Sequence, residues 1–391
     1  MRAYRESHPW ITFEATDLNK LLPRTWMLLG EARSKCAHLA GAPLQPEVAQ
    51  DLYRVALIKG AQATTAIEGN TLTEEQVKGI LDRTFEAPSS RVYQQREVRN
   101  VLDLLNEIQQ QVMSGDSPAI TRDLILDFNR RLLAGTEHEP DATPGRVRDH
   151  EVVVGKYRGA PAEDCDHLLK RLAEWLESDT FKSDDPEIGF ALSVAGAIYA
   201  HLYMAWLHPF GDGNGRTARL MEFLIIAKSG TTPVLAAHLM SNHYNLTRDR
   251  YYRELQSASR TQDTAGFVAY AIQGFVDGLR EQIDKVLLQQ LELTWISHVH
   301  KVMGTYPSSP ACDRQRALVL AIAPGAEHSK GELQRLTPEL AALYATKGPR
   351  TLSRDLNRLE KAGLMHQNLK RWRANHSLVK AFLPPVAEEN P

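Results

Sequence analysis

The run His208-Pro209-Phe210-Gly211-Asp212-Gly213-Asn214-Gly215-Arg216-Thr217-Ala218-Arg219 constrains the fold more than any other stretch, because it cannot be one regular element. Pro209 and Gly211 bar a continuous helix, so His208 stands at a helix end or in a loop. From Asn214 onward, Leu220, Phe223, Leu224 and Ala227 recur at spacings of three and four, the period of a helix with a buried face. A glycine-rich turn therefore feeds a helix N-terminus, whose free N–H groups and dipole attract anions. Gly213 and Gly215 permit positive φ and close approach of phosphate oxygens. Arg216 and Arg219, three residues apart, share the first helical turns, and guanidinium forks match phosphate oxygens. Asp212 is a hard oxygen ligand of the kind Mg²⁺ takes together with phosphates. His208 titrates near neutral pH and can accept a proton from a hydroxyl. Together these residues suit moving part of a nucleotide phosphate. A helix-capping loop with solvated arginines is the bland alternative, and it leaves the coincidence of all these groups unexplained. The chain has no G-x-x-x-x-G-K-[ST] run, so the anion site is not a P-loop.

The twelve residues resemble the signature of the Fic family, H-x-F-x-[DE]-G-N-G-R-x-x-R, at every fixed position. The resemblance implies an all-α fold and, for many members, transfer of AMP from ATP to a protein hydroxyl. It makes His208 the general base and Asp212 the Mg²⁺ ligand. Gly213, Asn214 and Gly215 become the anion nest, Arg216 and Arg219 bind the outer phosphates, and Phe210 anchors the loop in the core. The lysine-containing phosphotransferase variant fits less well, because Gly215 and Arg219 are present.

Upstream, Leu57, Ile58, Ala61, Thr64, Thr65 and Glu68 read as a helix that Gly69-Asn70 can end. Glu68 then lies in the last turn, where a carboxylate faces the negative end of the dipole and calls for a cation partner. The run Thr64-Thr65-Ala66-Ile67-Glu68-Gly69 resembles the family's inhibitory motif, [ST]-x-x-x-E-[GN], which implies an inhibitory pair between Glu68 and Arg219. An exposed glutamate near a helix end is the alternative reading. Between these motifs, Val152-Val153-Val154 followed by Gly155, with Arg146, Arg148 and Tyr157 around them, suits a β-hairpin. The resemblance makes this hairpin a flap that docks the target segment by strand addition. Its usual proline cluster is reduced to Ala160-Pro161. A purely structural hairpin is compatible with the same residues.

Composition narrows the setting. A net charge of −2 over 391 residues advertises no polyanion partner for the molecule as a whole. Cys36, Cys165 and Cys312 are scattered and lack metal spacing, which argues for a reducing compartment. The N-terminus lacks an apolar signal core, and no run approaches about 18 apolar residues. A cytoplasmic location without a membrane span is therefore the expectation.

Punctuation suggests four segments. Residues 1–110 form an N-terminal helical region carrying the inhibitory helix, and 111–285 form the catalytic core. Residues 286–310 form a helical linker, and 311–385 a separate module. In the core, Ile188, Ala191, Leu192, Ala195, Ile198, Tyr199 and Leu202 mark a buried helix leading to the active loop. His201 on that helix reads first as a packed, hydrogen-bonded residue. Tyr251 and Tyr252 resemble an aromatic pair near the nucleotide base, with Tyr252 the nucleotide contact, although core packing explains them equally. The family's asparagine beyond the tyrosines is replaced by Ala258-Ser259-Arg260, which leaves base preference open.

Helices are expected at Asp313 to Ala323, Ser329 to Leu336 and Thr351 to Ala362, with a two-stranded wing within Leu364 to Leu378. This pattern resembles a winged helix-turn-helix. From Lys347 to Arg373, eight Lys and Arg face two acids, so the neutral whole hides a basic patch. Arg350, Arg354 and Arg358 stand at i, i+4, i+8 opposite Leu352, Leu356 and Leu359. Duplex DNA and a protein partner both suit such a face. The reading overall is a Fic helical bundle with a small β-hairpin flap, followed by a winged helix-turn-helix. It transfers AMP from ATP with Mg²⁺ to a Ser, Thr or Tyr hydroxyl, its own included, under inhibition by Glu68 and Thr64. Removal of AMP, and a nucleotide-sensing DNA-binding regulator, are the alternatives. Homodimerisation stays open.

Overall fold

Proline and glycine punctuation cuts the chain into sixteen α-helices, five short 3-10 helices and two short hairpins among the residues described, 2–155 and 157–380, in this computed structural model. The chain divides into two compact units, Met1–Ile283 and Asp284–Pro391. The first opens with α1 (Tyr4–Ser7), α2 (Pro23–Gly41), α3 (Pro46–Ala66), α4 (Glu74–Leu81), α5 (Val92–Ser114) and α6 (Arg122–Leu132). The antiparallel hairpin β1 (Val153–Val154) and β2 (Tyr157–Arg158) follows, pairing Val153 with Arg158 and Val154 with Tyr157. Then come α7 (Ala162–Leu176), α8 (Pro186–Leu207), α9 (Asn214–Lys228), α10 (Leu239–Leu246), α11 (Arg248–Thr261) and α12 (Ala265–Met303), and the unit boundary falls within α12.

The core of the first unit is α8 packed along α9, with α2 and α7 against α8 and α3, α5 and α6 against α9. Helix α8 is apolar on every side, and Phe190, Val194, Ile198, Leu202 and Trp206 are all buried. An all-round apolar helix belongs at the centre of a large core. The expectation that no run reaches membrane-spanning length is corrected here. Among the described residues, α8 is the one helix long and apolar enough by composition, but 67% of its most apolar window is buried inside the protein. Residues 1–110, the N-terminal helical region, lie in the same unit as the core helices, with α3 and α5 each packed on α9.

In the second unit, α13 (Pro310–Leu320), α14 (Lys330–Leu333), α15 (Pro338–Ala345) and α16 (Pro349–Lys361) precede the hairpin of β3 (Met365–Asn368) and β4 (Arg371–Ala374). A separate core of Trp295, Leu318, Leu333, Leu340, Leu356 and Trp372 fills it. Residues 286–310, expected as a linker, contribute Trp295, Val299 and Met303 to that core. Their spacing of four puts all three on one helix face. Asp355 is buried yet fully served. Arg314 donates to it at 2.8 and 3.1 Å, Gln315 at 2.8 Å and Tyr344 at 2.9 Å. These bonds tie α13, α15 and α16 together, and they meet the condition under which a buried charge is tolerated.

Two boundaries differ from expectation. The helix read at Ser329 to Leu336 is the single turn α14, capped reciprocally by Ser329 and Glu332, and α15 then begins afresh. Thr337 is extended at φ −134° and ψ 156° before Pro338, and its hydroxyl caps Leu340. A residue before proline is pushed out of the helical region, so the two turns cannot merge. Helix α13 starts earlier than Asp313, because Ser309 caps it and Pro310 takes the first helical position. Residues 381–385 of the module lie outside the described residues.

Candidate active site

Helix α8 ends where the proline demands. His208 caps it in the left-handed conformation, φ 47° and ψ 56°, which turns the chain back before Pro209. Phe210 is buried and anchors the loop. The Asn214 side chain closes it, accepting from Phe210 N at 2.9 Å and donating to Phe210 O at 2.8 Å. Gly213 is left-handed at φ 76° and precedes α9. Asn129 Nδ2 donates to Asp212 O at 2.9 Å and fixes the loop from α6. Asn214, expected in the anion nest, thus contributes its backbone there and spends its side chain on the loop.

Glu68 lies beyond the end of α3 rather than in its last turn. The chain tightens at the C-terminus, with Glu68 N donating to Thr65 O at 3.0 Å and Asn70 N to the same oxygen at 3.1 Å, while Gly69 adopts φ 97°. Such closures satisfy the last carbonyls and release the chain from the helix. The carboxylate then reaches across to α9. Arg219 Nη2 donates to Glu68 Oε1 at 2.5 Å and to Thr64 O at 2.9 Å, and Nε donates to Thr64 Oγ1 at 3.1 Å. Arg219 is 1% exposed and Glu68 33%. Burial raises the Glu68 pKa, but the charge and hydrogen bond of Arg219, with Arg216 and His208 behind, outweigh it and hold the carboxyl below its ordinary range.

A Cβ on Gly215 would stand 2.3 Å from Glu68 Oε1. Only glycine admits the carboxylate this close to the first turn of α9, where the helix N–H groups and dipole favour an anion. The Glu68 carboxylate therefore lies against the first turn of α9 and lines the adjoining cleft, whereas Arg219 does not.

That cleft measures about 570 Å³ and is lined by Glu68, His208, Gly215, Tyr252, Gln256 and Ser259, among others. Of the flap, Val154, Gly155 and Tyr157 reach it. Val153 and Val154 are 60% and 46% exposed, and among the described residues β1 pairs with β2 alone. Val152 precedes the two-residue strand and holds it through Gly159 N, which donates to Val152 O at 3.1 Å. The tyrosine pair divides, because neighbours on a helix point about 100° apart. Tyr251 is buried and Tyr252 is 43% exposed, and both line the cleft. His201 is a packed residue, 2.9 Å from the Tyr251 hydroxyl and 3.4 Å from Glu222.

The imidazole of His208 also lines this cleft. Burial lowers its pKa to about 4; a hydrogen bond to the Ala205 backbone opposes this, and Arg148 adds to it. The ring is therefore uncharged at ordinary pH, the form that can accept a proton, although burial weakens it as a base.

Like Arg219 and Asp212, Arg216 does not itself line the cleft. Its Nη1 donates to Glu97 at 2.8 Å and its Nη2 to Asp212 Oδ1 at 3.1 Å. Asp212 Oδ1 also accepts from Gly213 N. Among the described residues there is no cluster of three or more His, Cys, Asp or Glu side chains placed to share a metal. Asp212 can still hold Mg²⁺, because that ion is usually bound by one or two carboxylates plus phosphates and water.

Two residues that hold this loop had no such role in the sequence reading, Glu97 being unnamed there and Arg148 being placed only beside the hairpin. Glu97 accepts from Arg216 and from Asn70 Nδ2 at 3.0 Å, joining the segment after Glu68 to the catalytic loop. Arg148 is buried and donates to His208 O at 2.7 Å and to the carbonyls of His150 and Ala160. Neither stands in a motif. Only the fold brings them to the loop, and no local pattern announces them.

The sequence profile of the Fic/DOC family matches residues 119–226, which include α6, the flap, α7, α8 and most of α9. The chain carries a Fic domain. It is similar to protein adenylyltransferase fic-1 of Caenorhabditis elegans, at 31% identity over 231 residues, covering 57% of this chain and 42% of that protein. It is also similar to protein adenylyltransferase Fic of Nematostella vectensis, at 32% over 172 residues, covering 44% of this chain and 38% of that one. The chain thus spans about two fifths of the length of these relatives. Its fold resembles that of a Fic family protein from Desulfovibrio desulfuricans G20, with TM-score 0.55 and 24% identity over 91% of this chain and 97% of the other. The Fic-1 segment of Caenorhabditis elegans superposes with TM-score 0.54 and 26% identity over 67% and 72% of the two chains.

Proposed function

We propose that this Fic-domain chain transfers AMP from ATP to a Ser, Thr or Tyr hydroxyl of a protein, itself included, and that Glu68 restrains it. The observation that carries the reading is the neutral His208 in the cleft beside the N-terminus of α9. The hydroxyl oxygen attacks the α-phosphorus of ATP. Its proton passes to the His208 ring nitrogen, the bond from the α-phosphorus to the bridging oxygen breaks, and pyrophosphate leaves. The α9 amides and Arg219 hold the phosphates, and Tyr252 flanks the base. Gln256 and Ser259 offer an amide and a hydroxyl where the family's asparagine is missing. Asp212 would hold Mg²⁺, which when bound offsets the phosphate charge. Strand addition at β1 would place the target hydroxyl.

The inhibitory part rests on the Glu68–Arg219 pair. A guanidinium engaged by Glu68 is not free for the γ-phosphate, and the carboxylate repels phosphate at the α9 N-terminus. An alignment error of about 1 Å can cost about 10²-fold in rate. Glu68→Gly removes the carboxylate and leaves Arg219 its two Thr64 bonds, so transfer should rise on that order. His208→Ala in the same background should remove about 10²–10⁴-fold, while ATP binding persists. The measurement is the initial rate of labelled AMP incorporation into the chain and into lysate proteins. Near-normal labelling by the His208→Ala variant would sink the transfer reading. A Glu68→Gly variant no faster than wild type would make the Glu68 contact structural.

Hydrolytic removal of AMP is the second reading, favoured by the third of the Glu68 side chain that stays open to the cleft. It requires Glu68 to orient water. In that case Glu68→Gly abolishes release of AMP from a modified protein instead of stimulating transfer.

A further inference from the structure

The outer face of α16 carries Arg350, Arg354, Asn357 and Lys361, all exposed. At about 100° per residue these four fall within about 60° of arc, whereas Arg358 lies about 80° from Arg350. Arg358 is half-buried, with its guanidinium 4.5 Å from the centre of the Tyr306 ring. The exposed acid of the helix, Glu360, lies about 80° away on the other side. The remaining acid, Asp355, is buried against Arg314, Gln315 and Tyr344.

Ion pairs of this unit are made elsewhere, between Arg314 and Asp355, Arg316 and Asp313, Arg371 and Glu332, and Arg373 and Glu327. Among the described residues, no carboxylate pairs with Arg350, Arg354 or Lys361. Beside the stripe, a depression of about 520 Å³ that includes Ser353 of α16 is rimmed by Lys330, Arg335 and Lys347. The fold has thus cleared acids from one helix face and kept its cations unpaired.

We propose that this face binds duplex DNA, with α16 in the major groove. A helix of 13 residues is about 20 Å long, and the groove, about 12 Å wide, admits it. Arginine and asparagine are the side chains that pair bidentately with guanine and adenine edges. Arg350, Arg354 and Asn357 are the base-reading set, and Lys330, Arg335 and Lys347 meet flanking phosphates. The element order, short helices followed by a two-stranded hairpin, supports a winged helix-turn-helix arrangement. Arg358, which sequence spacing alone would include, is committed to Tyr306 and drops out. The proposal rests on the second unit and stands apart from the transfer reading.

The test is fluorescence anisotropy of the full chain with a labelled duplex of about 20 base pairs, first of random sequence and then of sequences selected by binding. Binding should weaken steeply as salt rises from about 50 to 200 mM. Lys347→Ala should reduce the slope of log K against log salt by about one. Arg350→Ala, Arg354→Ala and Asn357→Ala should each weaken the selected site about 5- to 150-fold, and Arg358→Ala should leave it at the wild-type value. Thermal unfolding is recorded alongside; these side chains are exposed, so the variants should melt as wild type does, and Arg354→Glu gives an independent second loss. No binding at low salt overturns the proposal. So does equal binding of a poly-glutamate peptide with the same sensitivity to Arg350 and Arg354, which would mark an acidic protein as the partner.

Discussion

At His208, burial pulls the imidazole pKa down to about 4, so the proton-accepting form persists well below the ordinary histidine range. In the free enzyme a lowered base pKa moves the acid limb of kcat/KM downward. In the Glu68→Gly background, that limb should lie near the His208 value. The missing carboxylate is one of the groups that raise this pKa, so its loss cannot move the limb up. Stopped AMP-incorporation assays across pH check this, and a limb centred on the ordinary histidine pKa would show that His208 is not the titrating base. Glu68 obeys the opposite sign. Its pKa is depressed in the folded state, so its ion pair is fully present above the ordinary carboxylate range and is lost only as pH falls through the lower folded value. Mild acidification therefore leaves the restraint in place, and the rate ratio of Glu68→Gly to wild type should stay level across the neutral and weakly acidic range.

At the scale of elements, the turn between α8 and α9 is held less by its glycines than by Asn214. Its amide serves both the N–H and the C=O of Phe210, and the residue is 4% exposed. Asn214→Ala leaves both backbone groups without their partner in a buried setting. An unsatisfied buried group costs about 1–3 kcal/mol, so the variant should unfold at lower urea concentration than wild type. Unchanged stability would mean that the loop is held by Phe210 and Asn129 alone. Arg148 works at the same scale. By donating to the carbonyls of His208, His150 and Ala160 it joins the approach to the hairpin to the His208 loop, so both rest on one buried guanidinium.

At the scale of the molecule, two hydrophobic cores fold within one chain. All residues of the second core fall between Trp295 and Ala374. Separate cores predict separate cooperative transitions, and calorimetry of the full chain should resolve two. Leu356 is fully buried in the second core. Leu356→Ala should cost about 2–5 kcal/mol and lower one transition while leaving the other in place. A single transition that shifts as a whole would show the two units to be energetically coupled.

The sequence alone determined what local chemistry controls. Pro209 and Gly211 had to end α8 before the loop, the period from Leu220 to Ala227 had to make α9, and Val152-Val153-Val154 with Gly155 had to make a hairpin. The second hairpin fell within Leu364 to Leu378, where two strands were expected. Tertiary structure decided what depends on residues far apart in the chain. It carried Glu68 past the end of α3 onto Gly215, because tightening at the helix terminus redirects the chain. It turned Arg216 to Glu97, buried Arg148 against three carbonyls, buried Tyr251 while leaving Tyr252 partly exposed, and replaced Arg358 by Asn357 on the open face of α16. In each case the deciding term is pairing or burial with a distant partner. Periodicity specifies which face of a helix is apolar, but not what that face or its charges will meet.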